Sequence, residues 1–149
     1  MPETADLDTL SIEFVTALFM TRTRFRLAMD DRFKPLGVTD AAWRTLFYLE
    51  QIGDGVLQKD LARVMGIESA GLVRLLDNLE SKALVERRAA VQDRRGKTVH
   101  LTSHSGTLLL ELHGAATQVR QNLLADISPA QLQTCLTVFN KILTAAEST

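Results

Sequence analysis

Arg87, Arg88, Arg94, Arg95 and Lys97 fall within residues 84–100 against only Glu86 and Asp93, a local charge of +3 in a chain whose net charge is −1. A guanidinium is a planar fork of donors that grips two acceptors at once, whether phosphate oxygens or the O6/N7 edge of guanine. Clustered in a near-neutral protein, such groups mark a surface for a polyanion. An arginine on a narrow loop suits the minor groove of A·T-rich DNA, where negative potential concentrates. Asp93, just before Arg94 and Arg95, can hold a guanidinium in place through charge-assisted bonds. Arg87, Arg88 and Lys97 then lie nearer the phosphates, each contact steepening the salt dependence of binding. A solvated charged surface is the competing reading of the same run.

The elements around these residues decide between the two readings. Leu57, Leu61, Val64 and Met65 have the spacing of a short helix, and Gly66 is placed to end it in a left-handed conformation. Ser69 can cap a following helix that runs to about Lys82. At about 100° per residue, Leu72, Leu75, Leu76 and Leu79 gather on one side of it. Arg74 lies nearly opposite, flanked by Ala70, Gly71 and Asp77. Small residues let a backbone approach a groove floor, Arg74 can read guanine, and Ser69 with the helix N-terminus can bind phosphate. Residues 84–89 and 97–102 are strand candidates, the second with Val99 and Leu101 on one face. They are joined by a polar loop that closes on Gly96. Helix, turn, helix and basic hairpin in this order predict a winged helix-turn-helix, whose second helix enters the major groove of double-stranded DNA.

Long helices flank this module. Residues 8–34 carry Phe14, Leu18, Arg22 and Phe25 at helical spacing, thickened by Val15, Phe19, Leu27 and Met29, until Pro35 stops the run. Such a helix spans about 39 Å, too long to pack only against a small lobe. Thr39 can cap a second helix that ends near Gly53. A fifth runs from residue 103 to about 127, and Ser128-Pro129-Ala130-Gln131 is a capping box with proline at the first helical position. The expected fold is mainly α with a small β-wing, one domain over residues 1–149. Residues 39–102 form the DNA-binding lobe, and residues 8–34 and 103–146 supply dimerisation helices. Apolar rows at both chain ends point to a homodimer rather than a monomeric bundle.

Other classes find little support. The single cysteine, Cys135, allows no disulfide framework, and as a midpoint of the last helix it reads as a buried or interface thiol. His100 and His104 straddle a strand end and a helix start, which spoils metal-ligand geometry; no metal or cofactor is expected. No phosphate loop, nucleophile elbow or base–nucleophile pair suggests an enzyme. The acidic N-terminus lacks a signal core and no apolar run approaches a membrane span, so a cytoplasmic protein without a membrane partner is expected.

The segments RFKPLGVTDAAW, LARVMGIE, LVRLLDNLESKALV and DRRGKTVHLT resemble the MarR family of bacterial transcriptional regulators, its SlyA-like branch most closely. The resemblance covers about a third of the chain, in family order. It implies a dimer of winged helices held by the first, fifth and sixth helices. It also implies that Arg95, oriented by Asp93, enters the minor groove and that Arg74 is the main major-groove reader. Arg26 and Trp43 match positions of SlyA-type salicylate sites, where an arginine pairs a carboxylate beside an aromatic wall. Thr23 stands where that branch has a second pocket arginine, and Leu57 where a polar helix cap is usual. The expected function is a regulator, in repressor form, on a pseudo-palindromic operator, released by a small aromatic or phenolic effector. The alternatives are a winged-helix protein-interaction module and a ligand-sequestering dimer without specific operator binding.

Overall fold

The computed structural model describes residues 2–92 and 95–149. Its elements are α1 (Pro2–Phe33), a 3-10 turn (Lys34–Leu36), α2 (Asp40–Ile52), β1 (Val56–Leu57), α3 (Gln58–Met65), α4 (Ser69–Ser81), β2 (Val85–Ala89), β3 (Lys97–Leu101), α5 (Ser105–Leu123) and α6 (Pro129–Glu147). By internal contacts the chain forms two units, Met1–Ala116 and Thr117–Thr149. The expected mainly helical fold with a small wing is the one observed, with one strand more.

In the first unit, α1 begins earlier than residue 8. The helix gives way to the tighter turn at Lys34–Leu36, whose Pro35 has no N–H to continue an α ladder. From Asp6 to Arg24 every residue except Leu18 is exposed, apolar ones included. Thr39 caps α2 as expected, its Oγ1 accepting from the Ala42 amide at 3.1 Å.

The core lies under the helix-turn-helix. Phe33, Leu46, Leu49, Leu61, Leu72, Leu76, Leu79, Val99 and Leu112 are fully buried together, with Trp43, Met65 and Val85 beside them. The sheet is antiparallel in the order β1-β3-β2, with Val56 opposite Val99, and Val85, Arg87 and Ala89 opposite Leu101, Val99 and Lys97. β1 was not expected: two residues show no alternation, and they are extended because β3 offers them an edge.

α3 and α4 end in the same device. Gly66 (φ 64°) lets the amides of Gly66 and Ile67 reach back to the carbonyls of Arg63 and Ala62 at 3.1 Å each. At the end of α4, Ala83 and Leu84 donate likewise to Glu80 and Leu79, at 2.9 and 3.0 Å, but the residue at φ 58° is alanine. Left-handed backbone costs a Cβ-bearing residue about 1–2 kcal/mol, more than glycine's extra chain entropy. Ala83→Gly is therefore expected to stabilise the protein by about 0.5–1 kcal/mol in denaturant unfolding; a lower midpoint would show that Ala83 is unstrained.

Two helix ends differ from expectation. α4 starts at Ser69, so its N-cap is Glu68, which makes no side-chain cap bond, and Ser69 is not the cap. Ile67 and Leu72 both pack on the core and flank this start as a hydrophobic staple does, fixing it without a polar cap. α5 runs over Ser105–Leu123 rather than 103–127. Ser105 is buried, and its Oγ and amide both donate to the Thr102 carbonyl, which holds Ser103 and His104 in a turn.

The second unit contains the end of α5 and all of α6. The capping box is present: Ser128 Oγ accepts from the Gln131 amide at 3.2 Å, and Gln131 Oε1 accepts from the Ser128 amide at 3.0 Å. None of the α6 residues is buried, and Leu136, Val138, Phe139, Ile142 and Leu143 are exposed. Cys135 is exposed as well, which removes the expectation of a thiol buried within the chain.

Candidate nucleic-acid interface

α4 presents the face expected of a recognition helix. Its leucines 72, 76 and 79 are fully buried, whereas Ser69, Ala70 and Arg74 are exposed and Gly71 half-buried. Beside it, a cleft of about 430 Å³ is lined by residues from the start of α3, from α4 and from the wing. Ser69, Arg87, Arg95 and Lys97 meet there, joined by Gln58 and Lys59. Of these, Arg95 and Lys97 are exposed. Asp93 and Arg94 lie outside the described residues.

Gln58 and Lys59 escaped the sequence reading. The signal was available: they are the first polar pair of the helix that Gly66 ends, and a helix-turn-helix sets its first helix across the DNA backbone. Gln58 Oε1 is buried without a hydrogen-bond partner, the one such side-chain atom among the described residues.

Arg87 and Arg88 of the wing are engaged by acids. Arg87 is only 15% exposed; its Nε donates to Glu80 Oε2 at 2.9 Å and its Nη2 to Asp77 Oδ1. Both partners belong to α4, so Arg87 fastens β2 to the recognition helix. The Glu80 bond, then the Asp77 bond, hold its guanidinium still more firmly charged than usual. On the opposite sheet face Arg88 grips Glu86, Nε to Oε1 at 3.1 Å and Nη2 to Oε2 at 3.3 Å. That bond keeps the Glu86 carboxyl below the ordinary carboxylate range. The local charge of +3 is thus offset by acids brought in from α4.

A clamp and a phosphate contact have different signatures. Arg87→Ala is expected to lower stability by about 1–2 kcal/mol, less than for a fully buried pair because Asp77 and Glu80 stay half in water. It should leave the salt slope of DNA binding unchanged. A slope reduced by about one, as for a lost phosphate contact, would return Arg87 to the DNA surface.

The two effector candidates stand apart. Arg26, at the C-terminal end of α1, donates through Nη1 to Asp30 Oδ2 at 3.1 Å. It lines an open cavity of about 710 Å³ with Asp30, Asp31, Lys34, Thr39 and Asp40. Asp30 Oδ1 also accepts from the Asp40 amide at 2.7 Å, and Arg44 Nε donates to Asp40 Oδ2 at 3.1 Å. Burial raises the Asp40 carboxyl despite Arg44. Trp43 is buried in the core, its ring 5.6 Å from those of Phe33 and Phe47 and edge-on to His113 at 4.9 Å. It does not line the cavity at Arg26.

Comparison with known proteins gives this architecture a family. Residues 36–96 match the model of the MarR family. The chain is similar to the solved transcriptional regulator PA3341, at 35% identity and a TM-score of 0.82, over 91% of this chain and 99% of that one. It shares its fold with a mutant MarR from E. coli complexed with operator DNA, at 23% identity and a TM-score of 0.82, covering 89% of this chain and 94% of that one. The same is true of the S. aureus MepR–DNA complex, at 24% identity and a TM-score of 0.78, covering 89% and 97%. With a relative of 35% identity matched over nearly its whole length and a family match spanning the helix-turn-helix and the first strand of the wing, this chain belongs to the MarR family of DNA-binding transcriptional regulators.

Proposed function

We propose that this protein is a homodimeric repressor that reads a pseudo-palindromic operator in the cytoplasm. The observation that carries this reading is the exposed, small-residue face of α4 with Arg74, set beside a cleft where Ser69, Arg95 and Lys97 converge. The operator DNA held by the E. coli relative and the DNA held by MepR support it. Each subunit places α4 in a major groove, about 10 base pairs from the other, and Arg95 reaches the flanking minor groove with Asp93 as its orienting acid. Lys97, Lys59 and Ser69 neutralise or bond phosphates; Arg88 is exposed on the outer face of the wing. The sequence of the wing and the position of Arg26 favour the SlyA-like branch.

Control follows from a population shift: a small aromatic or phenolic acid that favours a subunit spacing mismatched to the grooves lowers affinity. Arg26 is the group that receives the carboxylate, sharing its guanidinium with Asp30.

Selection of binding sites from a random duplex library at near-physiological salt tests the whole reading. A two-fold symmetric motif with half-sites one turn apart supports it. Weak, motif-free binding would favour a protein-interaction module or a ligand-sequestering dimer. On the selected duplex, Arg74→Ala is expected to lose about 1–3 kcal/mol of base discrimination while retaining its phosphate-driven affinity. Undiminished discrimination would mean that another residue reads the bases.

A further inference from the structure

The outer face of the wing sheet carries a chain of polar contacts that runs from the turn before β1 across β3 to β2. It starts at Asp54, in the turn before β1, whose Oδ1 accepts from the Leu101 amide at 2.8 Å. Asp54 Oδ2 faces His100 Nδ1 at 3.4 Å, and His100 Nε2 faces Thr98 Oγ1 at 2.8 Å. Thr98 Oγ1 in turn donates to the Arg88 carbonyl of β2 at 3.3 Å. The imidazole is 15% exposed and lies over Gly55, where an added Cβ would come within 3.2 Å of its Cε1.

A count of protons shows what this chain requires. Asp54, as a carboxylate, only accepts, and Thr98 has a single hydroxyl proton. Three contacts, Asp54–His100, His100–Thr98 and Thr98–Arg88, therefore need three protons. With a neutral imidazole there are two. If Thr98 donates to the Arg88 carbonyl, Nε2 must carry the imidazole proton, and Nδ1 then turns a lone pair on the Asp54 carboxylate. If Nδ1 carries it, Thr98 must donate to Nε2 and the bond to β2 is lost. Only the imidazolium closes the chain from β2 to the turn before β1.

We propose that His100 is a proton-operated positioning residue for the wing: its protonation ties the β2–β3 hairpin to the turn before β1, and its deprotonation loosens it. Glu86 of β2 stands directly opposite His100 in register and Asp54 lies at its other side. Arg88, the cation on the same face, is held by Glu86. The closed chain needs the imidazolium, so the tethering belongs to the low-pH form and is lost as the imidazolium gives up its proton. The consequence for DNA, a tighter wing and higher affinity at the acid end, rests on the function proposed above; the tethering itself does not.

The test is amide hydrogen exchange of the free, full-length protein between pH 5.5 and 8, corrected for intrinsic exchange and read at Leu101, whose amide Asp54 holds. Protection in the wild type is expected to fall by about fivefold toward pH 8, the worth of one hydrogen bond. In His100→Gln the dependence should vanish. Asp54→Asn is the sharper variant, because its side-chain N–H₂ can donate to a neutral Nδ1. The pH dependence should then disappear or reverse while His100 still titrates. Protection that is independent of pH in the wild type, or that falls equally in His100→Gln, overturns the proposal. So does an Asp54→Asn profile identical to the wild type. Duplex affinity measured in parallel keeps the two readings apart: no binding at either pH refutes the function proposed above and leaves the exchange result, for or against the tether, unaffected.

Discussion

Phe19→Glu is expected to leave a monomer in sedimentation and to weaken operator binding by about 100-fold or more. Phe19 is 64% exposed on α1, in a stretch where Leu7, Leu10, Ile12, Phe14, Val15 and Met20 are exposed as well. Soluble monomers rarely leave so many large apolar side chains of one helix in water, and a helix with only Leu18 partly covered over five turns has little tertiary packing to hold it. The homodimer proposed above accounts for both features. Burying one such ring is worth about 1.5–3 kcal/mol, and forcing a carboxylate into that place reverses the sign. DNA affinity falls with the dimer because the second half-site is otherwise engaged at an effective concentration in the millimolar range. Phe19→Leu, which keeps the apolar contact, should remain dimeric, and Phe139→Glu on α6 provides an independent break. A Phe19→Glu protein that stays dimeric with full affinity would assign the exposed face of α1 to some other partner.

How far the sequence discloses this protein depends on how local the determining interaction is. The phase of Leu72, Leu76 and Leu79 against Arg74 lies within one helix, and the buried and exposed faces follow it. Thr39 and the Ser128–Gln131 box act over three residues and cap where they should. By contrast, β1 is extended only because β3 lies beside it. That Arg87 is paired with acids shows only once α4 brings in Asp77 and Glu80, ten and seven residues away. Ser69 loses its capping role because Ile67 and Leu72 already fix the start of α4 through the core. Polar spacing alone does not reveal that Asp54, His100 and Thr98 form a chain from the turn before β1 to β2. Asp54 and His100 lie 46 residues apart and meet only through the register of the sheet.

Arg95→Ala is expected to weaken specific binding by tenfold or more at fixed salt, since a groove contact of this kind is worth about 1–3 kcal/mol. Its position makes this residue the sharpest choice. Arg95 is exposed and lines the same cleft as Ser69 and Lys97, where the hairpin approaches the recognition helix. Arg95→Lys separates charge from shape. An ammonium keeps a phosphate contact and the salt slope, but it lacks the flat fork that a narrow A·T-rich minor groove accommodates. If Arg95 enters the groove, Arg95→Lys should lose most of what Arg95→Ala loses, and the loss should be larger on operators with A·T-rich flanks than with G·C-rich ones. Should Arg95→Lys bind as the wild type does, with flank composition without effect, Arg95 would be a phosphate contact only. Unchanged affinity in Arg95→Ala would move the minor-groove contact away from this residue altogether.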